Sequence, residues 1–283
     1  MILAIVGPTG VGKTKMSIEL AKKYNAIIIN CDAMQVYKDL NIGTAKITEE
    51  EKENIDHYLF DIRNVNEEYT VYDYQKDVRK LLEEHKDKNI ILVGGTGLYL
   101  KAALYDYRFN TETNTNNTYD NLTNEELYNL CKEKDNKVNI HPNNRQRLIR
   151  FLNKENTIIV PPVPLYEHTI IGLTTNREYL YERINNRVDI MMNNGLLEEV
   201  TNFHKQNIRT KPLIGGIGYK ELYSYLDNEI TLEDAINKIK QNSRHYAKRQ
   251  YTFFNNQLNV NWFNVDFNNF NNTINEVIKF IEK

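Results

Sequence analysis

Gly7, Pro8, Thr9, Gly10, Val11, Gly12, Lys13 and Thr14 follow directly on the apolar run Ile2–Val6 and lead into residues 14–24, where Met16, Ile18, Leu20 and Ala21 recur at helical spacing. A strand that feeds a glycine-rich turn and then a helix is a cradle for phosphate. The glycines let the backbone curl with its N–H groups pointing inward, Lys13 contributes a point charge, and the Thr14 hydroxyl is placed for a magnesium ion. This context, more than the pattern itself, separates the segment from an ordinary tight turn.

The cradle does not say which phosphate compound it holds. An ATP-dependent kinase or ATPase would normally end a second apolar strand with an aspartate that helps to hold magnesium. Here the strong apolar strand at 90–93 runs instead into Gly94-Gly95-Thr96-Gly97, with no acid.

A chain of 283 residues can bury a large core and forms one large domain or two unequal ones. Its formal charge of −2 argues against general coating by nucleic acid. That average hides two acid-free basic stretches. One, at 136–154, carries Lys137, Arg145, Arg147, Arg150 and Lys154; the other, at 235–250, carries Lys238, Lys240, Arg244, Lys248 and Arg249 beside His245. A single such run is as well explained by a solvated helix face, but two in a near-neutral chain favour a polyanion site. Cys31 and Cys131 lie too far apart to suggest a disulfide framework or a zinc site. No apolar window approaches the length of a membrane span and no signal peptide is visible, so a cytoplasmic location without membrane attachment is expected.

Strand and helix signals alternate through the first hundred residues. Strands are expected at Ala26–Asn30, 58–62 and 90–93, and helices at 71–85 and 98–104. Such alternation implies a parallel sheet covered on both faces, with ligands at the carboxyl ends of its strands. Residues 108–124 turn to Asn and Thr and read as an exposed connection to two short helices at 122–134 and 143–153, an insertion standing off the sheet. A returning strand at 170–173 precedes helices at 176–194, 196–204, 218–226 and 232–254; a last strand at 259–265 and a closing helix at 267–281 complete the chain. The expected domains are therefore 1–107 with 155–283, and 108–154.

Asp32 follows the second strand and lies near the mouth of the phosphate loop. Position alone allows it to hold magnesium, to act as a general base, or to cap the turn that follows. The glycine-rich segment 94–99 adds a second flexible turn on the same sheet edge, and the two edges with one carboxylate form a cleft for a phosphate and something larger.

GPTGVGKT, CDAMQVYKDLNIGTAK, GGTGLYLKAAL, HPNNRQRLIRFL, IGYKELYSYL and RHYAKRQYTFF occur in this order. Together they resemble the tRNA dimethylallyltransferase (tRNA isopentenyltransferase) family of bacterial type, from about residue 1 to Phe254. The resemblance implies a P-loop NTPase-like α/β fold, a parallel sheet covered by helices, with a small helical insertion that contacts tRNA. It implies transfer of a dimethylallyl group from dimethylallyl diphosphate to N6 of the adenosine 3′-adjacent to the anticodon, with Mg²⁺ as cofactor and the tRNA anticodon stem-loop as partner of a monomeric protein. By similarity Asp32 is the general base and Thr9 faces the reacting carbon. Gly7 to Thr14 hold the diphosphate and Thr14 the metal. Contacts to tRNA are implied for Asp32, Ala33, Met34, Gln35 and Thr96, for Gln146, Arg147, Leu148, Ile149 and Arg150, and for Lys248, Arg249 and Gln250. Within this frame Gln35 has the donor and acceptor to read an adenine edge, and Tyr251, Phe253 and Phe254 are available for stacking. Arg177, Arg183 and Arg187 either add diphosphate or tRNA contacts or pair with Glu178, Glu182 and Asp189 along their helix.

The chain departs from the family pattern at Ala33, where many members carry Ser, and at Gly215-Gly216, where others carry bulkier residues. Three other readings compete, one of them an RNA-binding module that keeps the fold without the chemistry, which intact Lys13, Thr14 and Asp32 disfavour. An adenine-nucleotide prenyltransferase needs no RNA arm, which the insertion and the KRQYTFF segment disfavour; a P-loop small-molecule kinase would bind ATP tightly, whereas a prenyltransferase would take ATP as a weak mimic at best.

Overall fold

The computed structural model describes residues 1–109, 119–153 and 162–283. Along the chain run β1 (Ile2–Val6), α1 (Lys13–Tyr24), β2 (Ala26–Asn30), β3 (His57–Tyr58), α2 (Val71–Glu84), β4 (Asn89–Val93) and α3 (Gly97–Leu104). The helices α4 (Asn124–Lys134) and α5 (Arg145–Asn153) come next, followed by β5 (Thr169–Thr174), α6 (Arg177–Asn193), α7 (Leu196–Lys205), α8 (Lys211–Gly215) and α9 (Tyr219–Leu226). The chain closes with α10 (Leu232–Gln257), β6 (Asn261–Asn264) and α11 (Phe270–Ile281).

The strands form one parallel sheet in the order β3-β2-β4-β1-β5-β6. Side chains alternate across it, as the two-residue period of a strand requires. Leu3, Ile5, Ile28, Ile91, Ile171 and Leu173 pack on one face with Met16, Leu20 and Ala21 of α1 and Ile274 and Val277 of α11. Ala4, Val6, Ile27, Ile29, Ile90, Leu92 and Ile170 pack on the other with residues of α2, α3, α7, α9 and α10. Burial on both faces explains why these strands read as continuous apolar runs. The register pairs Val93 with both Ile5 and Asn30, so the loops after β1, β2 and β4 leave the sheet side by side. Cys31 N–H donates to Val93 O (2.8 Å) and Gly94 N–H to Ile5 O (3.2 Å), which extends the pairing into those loops.

Several elements differ from expectation. The strand at 58–62 stops after Tyr58, because Leu59 and Asp61 take left-handed φ values of 63° and 54° that no strand continues through. The periodic pattern also gave no sign of α8, a short helix that begins with proline in its first turn, as helices often do. Gly195 breaks α6 from α7 at the expected place, with φ 98°.

Contacts divide the chain into Met1–Asp106 with Pro164–Lys283, and Tyr107–Val163. The smaller unit has its own core of Leu127, Cys131 and Leu148, against which Tyr119, Leu122, Val138, Ile140 and Leu152 pack. Thr123 and Glu126 form a reciprocal cap at the start of α4. The Arg145 guanidinium donates to the carbonyls of Tyr119 (2.7 Å) and Leu122 (2.6 Å), fastening the entry of α4 to the first turn of α5. Residues 110–118 of the expected Asn-rich connection, and Lys154 of the first basic run, lie outside the described residues.

Candidate active site

The three loops at the carboxyl edge of β1, β2 and β4 open onto a cavity of about 1620 Å³. Thr9, Gly10, Gly12, Lys13 and Thr14 line it from the first loop, Asp32 to Gln35 from the second, and Gly94 from the third. Arg183 and Arg187 of α6 and Tyr246, Arg249 and Gln250 of α10 line it from the helices.

The phosphate loop is shaped by close approach as well as by φ. Gly7 has φ 141° and a Cβ there would meet Leu173 O at 2.5 Å; Gly12 has φ 96° and a Cβ would meet the Phe270 ring at 2.7 Å. Lys13 Nζ donates to the carbonyls of Gly7 (3.0 Å) and Pro8 (2.8 Å). Burial, and then the nearby positive charge of Arg187, push its pKa down to about 7, against the opposing pull of Asp32. Arg183 Nε donates to Gly10 O (3.0 Å), and its guanidinium lies 4.0 Å from the Phe267 ring centroid. Asp189 pairs with Lys240 (2.7 Å). Arg183 and Arg187 thus face the cavity, one helical turn apart on α6, in place of the pairing along the helix that their acidic neighbours suggested.

Asp32 is held from two sides. Buried Asn30 accepts from Asp32 N–H through Oδ1 (2.9 Å) and donates through Nδ2 to the carbonyls of Asp32 (3.0 Å) and Leu59 (3.0 Å). Asp32 Oδ1 in turn accepts from Met34 N–H (2.9 Å), so this carboxylate does cap its turn while lining the cavity. Thr96 Oγ1 accepts from Ala33 N–H (3.1 Å), which ties the β4 loop to the same turn. The segment after it, residues 41–43, is fixed from α7: the Glu199 carboxylate accepts from the N–H groups of Asn41 (3.1 Å), Ile42 (2.7 Å) and Gly43 (3.1 Å) and from the Tyr219 hydroxyl (2.6 Å).

A family model described as IPP transferase matches residues 35–257, most of the chain. The tRNA dimethylallyltransferase of Anoxybacillus flavithermus is 44% identical, over 99% of this chain and 96% of that protein. This chain belongs to the IPP transferase family. The crystal structure of the tRNA isopentenylpyrophosphate transferase from Bacillus halodurans superposes with a TM-score of 0.79 at 40% identity, over 99% of this chain and 95% of that one. A eukaryotic dimethylallyltransferase described as acting on tRNA gives a TM-score of 0.80 at 27% identity, over 98% of this chain and 77% of that one. The P-loop-like parallel sheet read from the sequence is thus the sheet of the IPP transferases.

Among the residues assigned by resemblance to this family, the structure gathers Thr9, Lys13, Thr14, Asp32, Ala33, Met34, Gln35, Arg249 and Gln250 around one cavity. Others serve different ends. Val11 is fully buried, so only its backbone can face a ligand. The Gln35 amide nitrogen donates to the carbonyls of Thr44 (3.0 Å) and Ala45 (3.4 Å), which leaves Oε1 as the atom with which it can meet an adenine. In the smaller unit Gln146, Arg147 and Arg150 are exposed, but Leu148 is fully buried in that unit's core and Ile149 packs against it. A helix must spend one stripe on its own core, and these two side chains are that stripe. The aromatic residues that close the second basic run are likewise committed. Phe254 is fully buried, Phe253 lies against Gly97 where a Cβ would collide with its ring, and the Tyr251 hydroxyl is bonded to Thr174 (2.9 Å). The sequence pattern gives no role to Glu199 or Asn30; an Asn closing an otherwise apolar strand is its one signal for either.

Proposed function

We propose that this chain transfers the dimethylallyl group of dimethylallyl diphosphate to N6 of the adenosine on the 3′ side of the anticodon in tRNA, releasing diphosphate. The observation that carries the reading is that the phosphate loop and Asp32 line one cavity in a member of the IPP transferase family. The bond between the allylic carbon and the diphosphate oxygen breaks as the N6–carbon bond forms, and Asp32 accepts the proton that leaves N6. Adenine N6 is a weak nucleophile because its lone pair is delocalised into the ring, so placement contributes much of the rate.

Lys13, the loop N–H groups, Arg183 and Arg187 surround the leaving group and stabilise the charge that grows on it. The donor set suits Mg²⁺. Among the described residues no group of three or more His, Cys, Asp or Glu is placed to hold a metal. A magnesium ion that keeps its waters and takes its remaining ligands from phosphate oxygens needs little more than the Thr14 hydroxyl. When bound it neutralises the diphosphate.

Exposed Arg147, Arg150, Lys248 and Arg249 supply phosphate contacts for the anticodon stem-loop, and the target base leaves its stack to enter the cavity. A monomer working in the cytoplasm completes the reading; among the described residues no helix is long and apolar enough to cross a membrane.

Incubation with labelled dimethylallyl diphosphate, Mg²⁺ and either unmodified tRNA or AMP, followed by nucleoside mass spectrometry, tests it. Label in tRNA adenosine is expected; label in AMP alone, or in neither, refutes the reading. Asp32→Asn is expected to lower kcat at least about a hundredfold, the scale of a lost general base, with diphosphate binding retained.

A further inference from the structure

Gln250 sits beside Lys248 and Arg249 in sequence but not in environment. Those two side chains are exposed, whereas Gln250 is only 5% exposed and its amide is committed at both ends. Oε1 accepts from Thr9 N–H (3.2 Å) and Nε2 donates to Gly95 O (3.0 Å). Thr9 belongs to the phosphate loop after β1, and Gly95 to the loop after β4. The absence of a side chain at Gly95 makes the approach possible, since a Cβ there would collide with Gln250 Nε2. Next to Gly95, Thr96 bonds to the Asp32 turn through Ala33 N–H. The chain of contacts therefore runs from the loop that holds the leaving group, through one amide on α10, to the turn that carries the base.

We infer that Gln250 is a positioning residue for the transfer, setting the spacing between the phosphate loop and the Asp32 turn and coupling both to α10, which also bears the exposed Lys248 and Arg249. The inference rests on the transferase reading above. Glutamine meets the requirement because it offers a donor and an acceptor on one planar group; glutamate at neutral pH offers acceptors only, and methionine offers neither at useful strength. Two loops that must be held against each other across the reacting atoms tolerate little drift, and a displacement of about 1 Å is enough to cost about a hundredfold in rate.

The test is steady-state kinetics of Gln250→Met and Gln250→Glu on unmodified tRNA, beside wild type, with RNA affinity and melting temperature measured on the same samples. The expected result is a split. For Gln250→Met kcat falls about 10- to 100-fold, Gln250→Glu falls less because the Thr9 bond survives, and RNA affinity stays unchanged because Lys248 and Arg249 remain. A lowered melting temperature with unchanged kcat overturns the inference in favour of packing. Weaker RNA binding with normal kcat at saturating RNA overturns it in favour of direct RNA contact. Should Gln250→Met fail to melt cooperatively, Gly95→Ala crowds the same amide from the other side and is expected to give the same loss of kcat; unchanged kcat there overturns the inference too. A wild type inactive on tRNA takes down the transferase reading and this inference together, whereas an active wild type with unaffected variants takes down only the role of Gln250.

Discussion

The Lys13 ammonium is drawn away from water inside a loop whose own carbonyls accept from it, with Arg187 adding like charge nearby. Burial is the largest influence on it, so the charge is held there at a cost to the fold. If a ligand is what keeps a residue in so unfavourable a place, a definite expectation follows. Lys13→Met should weaken binding of inorganic diphosphate at least about tenfold, the scale of one lost charge-assisted hydrogen bond, while the melting temperature at pH 7 does not fall. Titration calorimetry and a thermal melt on one preparation check both halves, and a variant that binds normally would remove Lys13 from the site. The place of Lys13 and Asp32 on the cavity was legible in the sequence because the signals for it are local: a turn, a cradle, a strand end. The double commitment of Gln250 was not legible, because its partners Thr9 and Gly95 lie 241 and 155 residues away and no local pattern encodes a buried amide between two distant loops.

At the scale of elements, alternation of strands and helices was enough to give the parallel sheet, since the central strands β1, β2, β4 and β5 are apolar through most of their length. What it could not give was the purpose of the second glycine-rich turn. Gly94, Gly95 and Gly97 are not there for flexibility: a Cβ at each would collide with Cys31 backbone, Gln250 or Phe253 respectively, so the glycines let β2 and α10 press onto this loop. The segment 41–43 is a second case. Nothing in its sequence reveals that it hangs on Glu199, which takes three consecutive N–H donors and a tyrosine hydroxyl. Glu199→Gln keeps the volume but puts an NH₂ where an acceptor was needed, leaving at least one of those donors without a partner. The expected cost is about 1–3 kcal/mol of stability, read by denaturant unfolding. Because Gln35 donates to the carbonyls of Thr44 and Ala45 just beyond the anchored segment, the KM for tRNA should rise as well. A stability loss with unchanged KM would show that the anchor serves the fold alone.

At the scale of the whole molecule, a formal charge of −2 conceals where the charges lie. Arg147 and Arg150 stand exposed on α5 of the smaller unit, and Lys248 and Arg249 stand exposed on α10 of the larger one. Each unit packs around its own apolar residues, and Leu148 and Phe254 belong to those cores while the four basic side chains are exposed. If one RNA engages both surfaces, counterions are released from both and the salt dependence of binding counts them. Arg147→Ala and Arg249→Ala should each reduce the slope of log K against log salt concentration by roughly one phosphate contact, about 0.7–0.9. The double variant should lose the sum, since residues without shared partners act independently. Fluorescence anisotropy with an anticodon stem-loop across a salt series decides it. A double variant whose slope matches either single variant would mean that the RNA touches one unit only, and the basic face of the other would then need a different partner.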